Sequence, residues 1–121
     1  MLRSLVFCLC VLPVPGLAGP AEVLAAEAVR SGNGWSFAVT IRHGDTGWDH
    51  YADGWVIEAP DGTQLGYREL LHPHVDEQPF TRSLSGVQVP AGIGVVYVRA
   101  HDSVHGWSDD RVEIVLPQGM P

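Results

Sequence analysis

Six histidines occur in this 121-residue chain, and all of them fall in three short stretches. These are His43-Gly44-Asp45-Thr46-Gly47-Trp48-Asp49-His50, His72-Pro73-His74-Val75-Asp76-Glu77 and His101-Asp102-Ser103-Val104-His105-Gly106-Trp107. Neutral imidazole is a ligand for zinc, Cu(II), nickel and iron, and carboxylates complete such shells. His72-x-His74 on an extended segment directs both rings to one side. His101 and His105 share a face if the four-residue step between them turns helically. The set therefore predicts a site of three or four ligands: His72, His74, His101 and His105 with His43 or His50. Asp45, Asp49, Asp76, Asp102, Trp48 and Trp107 are in supporting places. Zinc or Cu(II) suits these ligands. Cu(I), which favours thiolate and thioether, does not, because Met120 is the only methionine outside the first residue.

Two other chemistries use the same residues. Taken singly, a loop histidine serves as a hydrogen-bonding partner for backbone or carboxylate. Pairs such as Asp49-His50 and His101-Asp102 would then pin long loops without metal, and the loops would present Trp48 and Trp107 to a protein or glycan partner. Titration of the imidazoles would make such contacts depend on pH. The third possibility is catalysis. Asp102, Ser103 and His105 are triad residue types, but a triad is set by geometry rather than by nearness in sequence. No nucleophile elbow, phosphate loop or dinucleotide fingerprint is present. The expectation is a binding protein, not an enzyme.

Strands must position these loops. Trp35, Phe37, Val39 and Ile41 alternate with small or polar residues across 35–42, a strand with one buried face. Further strands are expected at 22–30, 54–59, 64–71, 80–89, 95–100 and 111–116, the first of them either frayed or paired. Ser85-Gly86 marks a change of phase within 80–89 and predicts a bulge. The runs are short and separated by turn residues, so the fold expected is an all-β, seven-stranded antiparallel sandwich. Strands that alternate in direction send successive connections to opposite ends. The first, third and fifth connections (31–34, 60–63 and 90–94) are tight turns without histidine. The second, fourth and sixth are the three histidine stretches, which must share one pole. Arg82, in phase with Phe80 and Leu84, reads as a surface arginine. Arg99 is left between a surface position and a buried partner for Glu69 or Asp102.

The strand count and spacing resemble the immunoglobulin-like and fibronectin-type-III-like superfold over the whole of residues 22–117. Trp55 stands where such domains bury a tryptophan, but the cysteine pair of antibody domains is missing. The resemblance implies a fold and no function. Desulfoferrodoxin-type iron sites also combine such a sandwich with histidines, but they need a cysteine thiolate as well.

Met1-Leu2-Arg3, the apolar run Leu5–Leu12 and the breakers Pro13, Pro15 and Gly16 have the layout of a secretory signal peptide. It is expected to span residues 1–21, with cleavage between 18 and 26. Phe7 before Cys8 and Leu9 before Cys10 are too bulky for a lipoprotein cleavage box. Loss of the leader would remove both cysteines, Cys8 and Cys10, and with them any disulfide. The apolar run is too short to remain as a transmembrane anchor, so the mature product is expected in the periplasm or outside the cell. Residues 118–121 read as a loose tail. With 14 Asp+Glu against 7 Lys+Arg and no lysine, no basic patch is available to neutralise phosphates. Nucleic acid is disfavoured as a partner, while cationic ligands and metal ions are electrostatically permitted.

Overall fold

Alternation in the second strand decides how the molecule closes. Trp35, Phe37, Val39 and Ile41 are all buried, and the residues between them are not. The computed structural model describes residues 19–117. The predicted leader through residue 18 and the tail 118–121 lie outside the described residues. Among those described there is no helix, and hence none long and apolar enough to cross a membrane.

The strands are β1 (Glu22–Ser31), β2 (Gly34–Arg42), β3 (Ala52–Glu58), β4 (Gln64–Glu69), β5 (Phe80–Val87), β6 (Val95–Asp102), β7 (Gly106–Trp107) and β8 (Val112–Val115). One sheet has the order β1-β2-β5. The other runs β4-β3-β6, with β7 and β8 both pairing β6 beyond it. Every pairing is antiparallel. The two inner faces meet in a core of Phe37, Val39 and Ile41 from one sheet and Trp55, Ile57, Val96 and Val98 from the other. Trp55 is fully buried there, as the sandwich pattern implies.

The described residues form eight strands rather than the seven expected. The extra one, β7, is two residues long and folds back on the end of β6, pairing Trp107 with His101 and Gly106 with Asp102. A ladder that short leaves no alternation to read. Gly106 makes the reversal possible, with φ at +77°, a region open to glycine at little cost. The expected bulge is present: Gly86 has φ +72°, and the β2–β5 register shifts between Trp35 and Phe37. β1 pairs with β2 from Glu22 to Ser31, with one register shift between Val23 and Ala25. Cleavage as late as Ala26 would remove the residues that pair with Val39 to Arg42, whereas cleavage before Glu22 would leave β1 whole.

Alternating strand direction sorts the connections as the sequence predicts. At one pole Val89–Gly94 lies beside Asn33 and beside Ala59–Thr63. At the other, the Tyr51 carbonyl accepts from Ser103 N at 3.0 Å, and the Asp45 carboxylate accepts from His74 N at 2.8 Å. All three histidine connections are thereby tied to one another.

Candidate metal centre

Leaving β2, the chain turns sharply at His43, where Asp45 N donates to the His43 carbonyl at 2.9 Å. The His43 ring donates through Nδ1 to Asp45 Oδ1 at 2.5 Å, with both side chains fully buried. Asp45 Oδ1 also accepts from Ala52 N at 3.0 Å, the first residue of β3, and Oδ2 takes the His74 amide. One buried carboxylate thus fixes the His43 ring, the start of β3 and the second histidine loop. With its proton on Nδ1, His43 is left with a lone pair on Nε2. That atom is buried and has no hydrogen-bond partner.

Asp102 closes β6. It is in phase with Val96, Val98 and Ala100 and so points inward, with no exposed surface. Its Oδ1 accepts from Val104 N at 2.9 Å and His105 N at 2.8 Å. The same oxygen faces His50 Nε2 at 3.0 Å and His105 Nδ1 at 3.1 Å. Oδ2 is buried with no partner. Burial alone would raise the carboxyl pKa, but the His105 and Val104 amides and the His105 ring more than offset it. Asp102 is held below the ordinary carboxylate range and carries its charge in the interior.

These groups converge. A nitrogen of His43, a nitrogen of His50 and an oxygen of Asp102 all lie within 4.8 Å of one another. The His43 and His50 ring centres are 4.8 Å apart, and the His105 ring is 5.0 Å from that of His50 on the outer side. A tetrahedral zinc shell has ligand–ligand edges of about 3.4 Å, tighter than the 4.8 Å span of these three atoms. The donor set suits zinc, Cu(II) or iron.

The other expected ligands stand apart. The His72 and His74 rings lie 4.5 Å from each other in the second loop. His74 stacks on Phe80 at 3.8 Å and accepts from Arg82 Nη2 at 2.9 Å. Burial first, then the Arg82 guanidinium and His72, push the His74 pKa down against the pull of Asp45 and Glu77. Arg82 is therefore a partner to His74 rather than a plain surface arginine. His101 points outward from β6, opposite in phase to Asp102, and pairs through Nδ1 with Asp53 Oδ1. Arg99 finds neither Glu69 nor Asp102. Its Nε donates to Glu58 Oε1 at 2.8 Å, and the guanidinium lies over Trp107.

Trp48 is exposed and packs edge-on against Tyr51, while Asp49 and Asp76 are exposed. Sequence reasoning underrated Asp45, and it missed Asp53 and Arg82 as histidine partners. Strand phase was the available signal for Asp102: had β6 been carried to residue 102, alternation would have turned Asp102 inward and His101 outward.

A protein of Halomicrobium mukohataei described as "Putative lipoprotein" is 43% identical to this chain over 88 residues, 73% of this chain and 43% of that protein. The chain spans less than half the length of that relative. No family model matches, and no solved structure does.

Proposed function

We propose that this is an exported protein that holds a divalent transition ion, Zn(II) or Cu(II), between His43, His50 and Asp102, with His105 as a fourth ligand at the rim. One observation carries the reading: His43 Nε2 and Asp102 Oδ2 are both buried and both without a hydrogen-bond partner, and their two residues form one cluster with His50. Each buried unpartnered polar atom costs about 1–3 kcal/mol, more for a charged group. A cation bound by both would relieve both. Asp45 stands behind His43 as carboxylates commonly stand behind ligating histidines, fixing tautomer and ring orientation. Coordination by His50 Nε2 would displace the proton now directed at Asp102.

Export is supported by the leader-like start of the chain and by the lipoprotein description of the relative. The ion is read as bound rather than as the centre of a reaction. A second reading rests on its own observation. His101 is paired with Asp53, and His74 with Arg82, so those two histidines are accounted for without metal, as members of a network that braces the loops for a protein or glycan partner.

Elemental analysis of untagged protein from its native compartment separates the two. Stoichiometric zinc or copper, lost together with thermal stability on chelation and absent from His43→Ala, is the expected result. Protein free of both metals, with no gain in melting temperature when either is added, would overturn the metal reading.

A further inference from the structure

Among the described aromatic side chains, Trp35, Phe37, Trp55 and Phe80 are core and Tyr51 and Tyr97 are half-buried, whereas Trp48, Tyr67 and Trp107 are 67%, 42% and 38% exposed. The latter two belong to the outer face of the five-stranded sheet, away from the buried histidine cluster. There Gly54 pairs with Glu69 on one side and His101 on the other, and His101 pairs with Trp107. This places Glu69, Gly54, His101 and Trp107 in one row across four strands.

Gly54 has a specific reason to be glycine. A Cβ there would stand 2.4 Å from the Tyr67 hydroxyl, so the phenol lies directly on the bare backbone. Laid down this way, Tyr67 meets Trp107 edge to face, with ring centres 6.3 Å apart, and Trp107 meets His101 at 4.8 Å. The His101 ring is pinned through Nδ1 by Asp53, which leaves Nε2 on the open side beside Gly106. Burial, Asp53 and Glu69 all raise the Tyr67 pKa, keeping the hydroxyl protonated as a donor.

Carboxylates outnumber cations on this platform. Asp53 and Glu69 are acidic, and Arg99, whose guanidinium covers part of Trp107, is bonded to a third carboxylate, Glu58. The balance disfavours anionic ligands. Rings that pack against C–H faces, carboxylates that accept from hydroxyls and a fixed imidazole beside them complement a saccharide. We propose that the outer face around Gly54 is a binding site for neutral or amine-bearing saccharides. Tyr67 and Trp107 form the packing surface, and Glu69 and the Asp53–His101 pair are the hydrogen-bonding groups. The site shares no ligand with the metal cluster and does not rest on the metal reading.

The test is titration of the full chain, chelator-treated and zinc-supplemented, with cellohexaose, chitohexaose, its de-N-acetylated form and polygalacturonate, followed by calorimetry and tryptophan fluorescence. At least one of the first three is expected to bind with a dissociation constant below about 1 mM, with or without zinc. Trp107→Ala and Tyr67→Ala are each expected to weaken it about tenfold. Gly54→Ala, which must lift Tyr67 from the strand, should weaken it while circular dichroism and melting stay near those of the parent. Tighter binding of polygalacturonate, no binding of the other three, or binding indifferent to both aromatic substitutions would overturn the proposal. His43→Ala is expected to retain saccharide binding, so failure of one site is distinguishable from failure of the other.

Discussion

Two groups of histidines sit at the same pole and face opposite charges. His43, His50 and His105 look toward carboxylates, Asp45 and Asp102. His74 looks toward a guanidinium. Residue type and location are shared, yet the first environment invites a cation and the second repels one. The difference comes from which strand end supplies the neighbour. β6 delivers an inward carboxylate at Asp102, and β5 delivers Arg82 beside the Phe80 on which His74 stacks. A cluster of histidines in sequence therefore says little about ligation until the charge facing each ring is known.

The largest expected effect comes from removing what joins the two groups. Asp45 holds the His43 ring on one side and the His74 amide on the other, with the Ala52 amide between. Asp45→Ala leaves two buried amides and a buried imidazole without their acceptor. A loss of about 3–5 kcal/mol in urea-induced unfolding is expected, along with loss of metal-induced stabilisation. A loss below about 1 kcal/mol would mean that the loops do not depend on this carboxylate.

Much of this comparison could be read without coordinates, and the unread part has definite causes. The sandwich, the bulge at Gly86 and the gathering of histidines at one pole follow from period-two alternation and alternating strand direction, while the burial of Trp55 came only from the resemblance to immunoglobulin-like domains. The grouping within the pole does not. It depends on one-residue phase at strand ends, where His101 turns out and Asp102 turns in, and on long side chains such as Arg82 whose reach no pattern encodes. β7 escaped because two residues carry no period.

Next in size is the stabilisation expected from an ion bound at the proposed site. At an ion concentration 100 times the dissociation constant, binding to the native state alone adds about 2.7 kcal/mol. His43→Ala and Asp102→Asn are expected to abolish that increment in zinc- or copper-supplemented melts. His72→Ala, on the exposed ring of the other group, should keep it. If His72→Ala removed the increment and His43→Ala did not, the assignment of the two groups would be reversed.

The smallest expected effect is a slope. His74 is buried, stacked and bonded to Arg82, and its pKa is lowered mainly by burial and then by that guanidinium. The unfolded chain takes up a proton near the ordinary histidine value of about 6.5, while the native ring resists it. Stability from this residue is therefore complete above that value and falls as the pH drops toward the native pKa. The limiting slope for one proton is about 1.4 kcal/mol per pH unit. His74→Gln keeps an acceptor for Arg82 but does not titrate there, so the parent should lose more stability than the variant between pH 7 and pH 5. Chelator-treated protein isolates this term from any ion-dependent one. Parallel curves for parent and variant would mean that His74 takes up its proton in the native state as freely as in the unfolded chain. The guanidinium would then not set the charge of the second group, and the contrast between the two groups would fail on that side.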